Sequence, residues 1–166
     1  MQTIPIGLRG LDLLASAETG SGKTAAFLIP MIVRLMSLKD VATGPLGLIL
    51  APTRELAQQI FVEAQKLGVG TGLQFRCTIG GTNLDDQVEL LQKAAYHVLI
   101  GTPGRVLDLL TQEFAVLHDC RWLVLDEADR MIDHGFTEQL MAILEFLPKR
   151  ASDEGAVHQR QTAMYS

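Results

Sequence analysis

No stretch of this chain approaches the roughly 20 apolar residues that span a bilayer, and the N-terminus has no charged segment leading into an apolar signal core. Both absences predict a soluble, intracellular protein with no membrane partner. Cysteine is scarce. Cys77 and Cys120 stand far apart, without a CxxC or a Cys/His grouping at metal-ligand spacing, so the expectation is two small buried core residues in a reducing compartment. His97, His118, His134 and His158 share no metal-ligand spacing either and are expected to be structural or exposed. Positive charge is also short: 14 Lys and Arg against 19 Asp and Glu leave a net charge of −5, which alone argues against a nucleic-acid partner. Net charge averages over every face, however, and a few amides and arginines on one face can hold a short strand. Local motifs must decide.

What is present suits one globular domain: 166 residues, 48% hydrophobic and 20% charged. Short apolar runs alternate with longer amphipathic ones, the pattern of βαβ units in a mainly parallel sheet with helices on both faces. Six runs read as strands: Leu13–Ala17, Gly47–Pro52, Phe75–Gly80, His97–Thr102, Arg121–Glu127 and Gln161–Ser166. Arg54–Leu67 carries Leu56, Ile60, Ala64 and Leu67 at helical spacing, one stripe for the sheet and the rest for water. Asn83 reads as a helix cap followed by Asp85 and Asp86, where the helix dipole favours carboxylates. Lys149–Arg160 reads as an exposed loop, Trp122 as a packing residue, and the methionines as core filler along helices.

The strongest chemical signal is Ala17-Glu18-Thr19-Gly20-Ser21-Gly22-Lys23-Thr24, between an apolar strand and a helical stretch rich in Ala, Leu and Ile. Glycines let successive N–H groups turn around phosphates, and the helix N-terminus adds partial positive charge. Lys23 can reach β/γ-phosphates and Thr24 can ligate Mg²⁺. Ala17 occupies the first-glycine position of the general phosphate-loop pattern. Further on, Trp122-Leu123-Val124-Leu125 runs into Asp126-Glu127-Ala128-Asp129, which sets acids at the carboxyl edge of a buried strand. One acid there can hold Mg²⁺ through water, as Asp126 would, and the next can act on the attacking water, as Glu127 would. Acids at a helix start are common for dipole reasons alone; the phosphate loop in the same chain is what makes these two functional candidates.

Five motifs, in order and spacing, resemble the first RecA-like domain of DEAD-box RNA helicases: AETGSGKT, PTRELA at Pro52–Ala57, the Gly80-Gly81 pair, TPGR at Thr102–Arg105, and DEAD at Asp126–Asp129. The resemblance covers essentially the whole chain, and Ala17 agrees with the family pattern. It implies a three-layer α/β/α P-loop NTPase domain over residues 1–166 that uses ATP and Mg²⁺. Ala17, Thr19, Gly20, Ser21, Gly22, Lys23 and Thr24 would hold the nucleotide, and Lys23, Asp126 and Glu127 would carry catalysis. Pro52, Thr53, Arg54, Gly80, Gly81, Thr102, Gly104 and Arg105 would form a sequence-independent RNA face, holding sugar and phosphate. On their own, Thr53 reads as an N-cap, Gly80-Gly81 as a loop and Pro103-Gly104 as a turn. Asp129 and Ser166 would couple nucleotide to RNA.

The resemblance also implies two missing parts: an adenine-recognising segment upstream, for which Gln2 is no safe substitute, and a second RecA-like domain that supplies arginines to the γ-phosphate. The chain therefore reads as truncated at both ends, and as a weak or inactive hydrolase by itself. The parent would hydrolyse ATP to unwind or remodel short RNA duplexes. An ATP-gated RNA clamp or assembly platform with incidental turnover is the alternative, and a transport or DNA-directed P-loop ATPase a weaker one. AETGSGKTAAFLIP and MIDHGF are similar to family members of pre-mRNA splicing, which implies a nuclear site and ribonucleoprotein or spliceosome partners.

Overall fold

The computed structural model describes residues 3–16, 20–38, 44–148 and 160–166. Its elements run α1 (Thr3–Leu8), β1 (Leu13–Ala15), α2 (Lys23–Met36), β2 (Gly47–Leu50), α3 (Arg54–Leu67), β3 (Phe75–Thr78), α4 (Leu84–Gln92), β4 (Val98–Gly101), α5 (Pro103–Thr111), β5 (Trp122–Leu125), α6 (Ala128–Asp133), α7 (Thr137–Glu145) and β6 (Gln161–Tyr165). The strands form one sheet in the order β1-β6-β5-β2-β4-β3, with every pairing parallel.

Alternation along the central strands builds the two cores. In β2, Ile49 faces Phe27, Leu28 and Met31 of α2 and Ile60 and Ala64 of α3. Leu48 and Leu50 face the other way, onto Val106 and Leu109 of α5, Met131 of α6 and Ile143 of α7. A strand covered on both faces must be apolar throughout, which is why Gly47–Leu50, Val98–Gly101 and Trp122–Leu125 are buried at every position. The edge strands β1 and β3 carry half-buried or exposed positions. The three-layer α/β/α expectation holds.

All six strands stand where the apolar runs place them, shorter at their ends. Motif residues Pro52, Gly80, Thr102, Asp126, Glu127 and Ser166 are among those trimmed: the chain leaves the ladder just before them, and Pro52 has no N–H to continue it. Arg54–Leu67 is helical as its spacing requires, opened by Thr53, whose Oγ1 accepts from the Leu56 N–H at 3.2 Å. Asn83 caps α4 through the Asp85 N–H at 3.0 Å.

Several expectations need correction. Pro103 and Gly104 open α5 instead of forming a turn, because proline's fixed φ suits the first helical turn and its missing N–H would be unpaired there. Cys120 is buried but Cys77, on edge strand β3, is only half-buried; both are free thiols. Met31 and Met131 fill the core, whereas Met36 and Met141 are 56% and 61% exposed. Helix α1 had no periodicity to reveal it. Residues 149–159 of the expected loop, His158 among them, lie outside the described residues.

The start of the chain is tied down by polar contacts. The Gln161 amide donates to the carbonyls of Leu11 at 2.6 Å and Gly7 at 3.3 Å, and its oxygen accepts from the Trp122 indole at 3.1 Å. Asp12 Oδ1 accepts from the Thr162 N–H at 2.7 Å. These bonds fix β1 against β6. Trp122 packs beneath Arg34, whose guanidinium lies 5.4 Å from the ring centre.

Candidate functional site

Register brings the motifs to one edge. Leu50 pairs with Gly101 and Leu125, Thr78 with Gly101, and Leu125 with Met164, so these strands end level. Pro52, Gly80, Thr102, Asp126 and Ser166 all follow on the carboxyl side, where ligands of open parallel sheets bind. Sheet order then sorts them. The phosphate loop, Ser166 and the acids leave β1, β6 and β5 on one half, while Pro52–Arg54, Thr102–Arg105 and Gly80-Gly81 leave β2, β4 and β3 on the other.

On the first half, Ala17 and Thr19 lie outside the described residues. Gly20 and Gly22 adopt φ of 80° and 86°, the left-handed region in which only glycine is unstrained. Gly22 sits at the N-cap of α2 without a side-chain cap, which leaves first-turn amides directed at whatever anion occupies the loop. Lys23 and Thr24 line an open cleft of about 970 Å³ with Gly20, Asp126 and Glu127. Gln59 and Glu63 of α3 line it too; they are one helical turn apart, and sequence reading assigned that face to water.

Asp126 is 2% exposed. Burial pushes its carboxyl above the ordinary range; Lys23 opposes that shift and the charge of Glu127 adds to it. The Glu127 N–H gives Asp126 Oδ1 a 3.1 Å bond. The Asp126 carboxylate and the Thr24 hydroxyl in one cleft are oxygen donors of the kind a hard divalent cation takes, so these two residues fit Mg²⁺. Glu127 caps α6 at φ 52°, a strained setting for a residue with a side chain, and its Oε2 accepts from Arg130 Nη1 at 3.1 Å. Asp129 and Ser166 meet: the serine hydroxyl is the main reason the Asp129 carboxyl lies below its ordinary value, followed by the backbone N–H of Arg130.

On the second half, Pro52, Thr53, Arg54, Gly80, Thr102, Gly104 and Arg105 line an open cleft of about 910 Å³. Gly81 adjoins it at φ 77°, and a Cβ there would stand 2.0 Å from Arg54 Nη1. Glu55, Asp108 and Phe136 also line the cleft: Glu55 stands inside the PTRELA segment, Asp108 follows TPGR on α5, and Phe136 precedes α7 and reaches the cleft only through the fold. Two arginines facing two acids make this surface much less basic than phosphate binding usually requires, in keeping with the chain's net charge of −5. Arg105 is partly committed already: its Nη2 donates to the Thr82 carbonyl at 2.9 Å.

With this geometry in view, a family model described as DEAD/DEAH box helicase matches residues 1–166. The chain belongs to that family. It is 48% identical over 153 residues to the probable ATP-dependent RNA helicase DDX23 of Homo sapiens, covering 89% of this chain and 18% of that protein. It is 44% identical over 179 residues to the pre-mRNA-splicing ATP-dependent RNA helicase PRP28 of Yarrowia lipolytica, covering 98% and 31%. Among solved structures, a DEAD box protein from the hyperthermophile Methanococcus jannaschii superposes with a TM-score of 0.84 at 33% identity, covering all of this chain and 42% of that one. The chain thus spans less than a third of the length of either helicase. As a DEAD-box domain it has the RecA-like sheet, and none of its described helices is long and apolar enough to cross a membrane.

Proposed function

We propose that this DEAD-box chain is the nucleotide-binding half of an ATP-dependent RNA helicase, holding ATP on the β1-β6-β5 side of the sheet edge and the RNA backbone on the β2-β4-β3 side. The observation that carries this reading is the sorting of motifs by sheet order into two clefts joined by central strands β5 and β2.

The amides at the start of α2 and the Lys23 ammonium take the phosphates. Thr24 and Asp126 would hold Mg²⁺, which when bound would supply charge neutralisation to the phosphates. Glu127 orients the attacking water and accepts its proton, with its carboxylate held beside the cleft by the turn at φ 52°. Thr53, Thr102 and the glycine backbone give hydrogen bonds to ribose and phosphate, and Arg54 adds charge, contacts that position a strand without reading its bases. The Asp129–Ser166 bond ties the DEAD segment after β5 to the end of β6, within the nucleotide half of the sheet edge. The second RecA-like domain of the full-length protein completes both sites. A role in pre-mRNA splicing is proposed because the similar PRP28 of Yarrowia lipolytica is a pre-mRNA-splicing helicase, and short-duplex remodelling in the nucleus extends that reading.

The test is RNA-stimulated ATP hydrolysis by the full-length protein. Glu127→Gln should lower kcat by about 10²–10⁴-fold, the usual worth of a general base. Turnover that ignores both RNA and this substitution refutes the proposal.

A further inference from the structure

Gly80 and Gly81 sit in a loop that should be slack. The loop leaves β3, an edge strand with no sheet neighbour on its outer side, so the backbone past Thr78 has only β4 to hold it. Glycine adds conformational freedom that a strand-binding surface must lose on binding. Among the described residues, three polar side chains act on this loop.

Gln87, on the second turn of α4, is 8% exposed and turned inward. Its Oε1 accepts from the Ile79 N–H at 3.2 Å, and its Nε2 donates to the Ile79 carbonyl at 2.9 Å. The carboxamide thus pairs with one residue's N–H and C=O together, as a neighbouring strand would. Only an amide side chain offers donor and acceptor at that spacing, and only one orientation of it satisfies both partners. Nε2 also donates to Thr82 Oγ1, and that hydroxyl donates to the Ile79 carbonyl at 3.1 Å. At the far end, Arg105 Nη2 grips the Thr82 carbonyl at 2.9 Å. The glycine pair is therefore suspended between anchors at Ile79 and Thr82, and Gly81 lies against the Arg54 guanidinium.

We infer that Gln87 is a positioning residue for the RNA cleft: by clamping Ile79 and Thr82 it holds the Gly80-Gly81 backbone, and through it Arg54, at the height where a phosphodiester strand meets them. The inference rests on the reading of the Pro52–Arg105 cleft as the RNA face. Gln87 does not line that cleft, so its effect is transmitted through the loop. Because the loop offers backbone and one guanidinium, the effect is the same for every RNA sequence. Because α4 and β3 lie on the half of the sheet away from the phosphate loop, nucleotide affinity stays as it is.

The experiment uses the full-length protein with a non-hydrolysable ATP analogue and fluorescein-labelled oligouridylate or oligoadenylate, read by anisotropy. Gln87→Met keeps the side chain's length and removes all three bonds; RNA affinity should fall about tenfold for both oligomers, the loss of about 1.4 kcal/mol. In steady-state hydrolysis the RNA concentration for half-maximal stimulation should rise by the same factor, with kcat at saturating RNA and KM for ATP unchanged. Gln87→Glu keeps the acceptor for Ile79 and loses the donations, so it should show a smaller shift in the same sense, and it decides the matter if the methionine variant does not fold. Unchanged RNA affinity in a folded variant overturns the inference, as does an equal loss of RNA and nucleotide binding. Wild-type protein that binds neither oligomer overturns the proposed function, and the inference with it.

Discussion

Replacing Gly81 with alanine separates a structural from a functional reading of the glycine pair. The added Cβ would lie 2.0 Å from Nη1, 2.4 Å from Cζ and 2.6 Å from Nη2 of Arg54. All three nearest atoms belong to a guanidinium that ends a flexible side chain, so Arg54 swings away and the fold absorbs the clash cheaply. What the fold cannot avoid is φ 77°, which costs an L-residue about 1–2 kcal/mol. For a domain of this size that lowers Tm by about 2–8 °C. The larger effect falls on RNA. A displaced Arg54 forfeits a charge-assisted bond worth about 1.5–3 kcal/mol, or about 10- to 150-fold in affinity. The slope of log affinity against log salt should fall by about 0.7, the value for one contact to a single-stranded phosphate. Anisotropy titrations of the full-length protein at several salt concentrations, beside thermal melts, measure all three. A variant that melts lower as expected but binds RNA with unchanged affinity and salt slope would refute the placement of Arg54 and Gly81 on the RNA face.

Two further outcomes follow from the acids. Asp126 is an acid whose folded pKa is raised, chiefly by burial, so it binds its proton more tightly in the folded state. Its favourable contribution is present below the unfolded pKa and is lost as pH rises through the folded value. Asp126→Asn should therefore raise Tm at neutral pH and flatten its pH dependence from the ordinary aspartate range upward, while abolishing Mg²⁺-dependent hydrolysis; a lower neutral-pH Tm contradicts this. Asp129 has the opposite shift, so Ser166→Ala should move its carboxyl back up toward the ordinary value, read by NMR titration, and an unmoved titration would show that the serine hydroxyl is not its partner.

Much of this was legible in the sequence because parallel strands covered on both faces have little compositional freedom. Val98–Gly101 and Trp122–Leu125 are apolar at each position, and their motifs follow where the ladder ends. Caps were legible for the same local reason: Thr53 and Asn83 act on amides two or three residues away. What stayed hidden depends on contacts between distant segments. Helix α1 is six residues held partly by Gln161, a partner more than 150 positions away. Gln59 and Glu63 join the Lys23 cleft because α3 packs beside α2, and Gln87 clamps Ile79 because α4 folds back beside the edge strand. The net charge of −5 does not decide the proposed RNA reading, which needs just Arg54, Arg105 and a row of backbone groups in a cleft that holds two acids besides.

The central claim is that nucleotide at the Lys23 loop drives work on RNA at the opposite half of the same sheet edge. Its most direct test is release of a labelled strand from a short RNA duplex by the full-length protein, with and without ATP, beside Lys23→Ala. The account predicts ATP-dependent release that falls by at least about 100-fold in the variant, the loss of a charge-assisted phosphate contact of about 2.7 kcal/mol. Release that proceeds without ATP, or equally in Lys23→Ala, would contradict it.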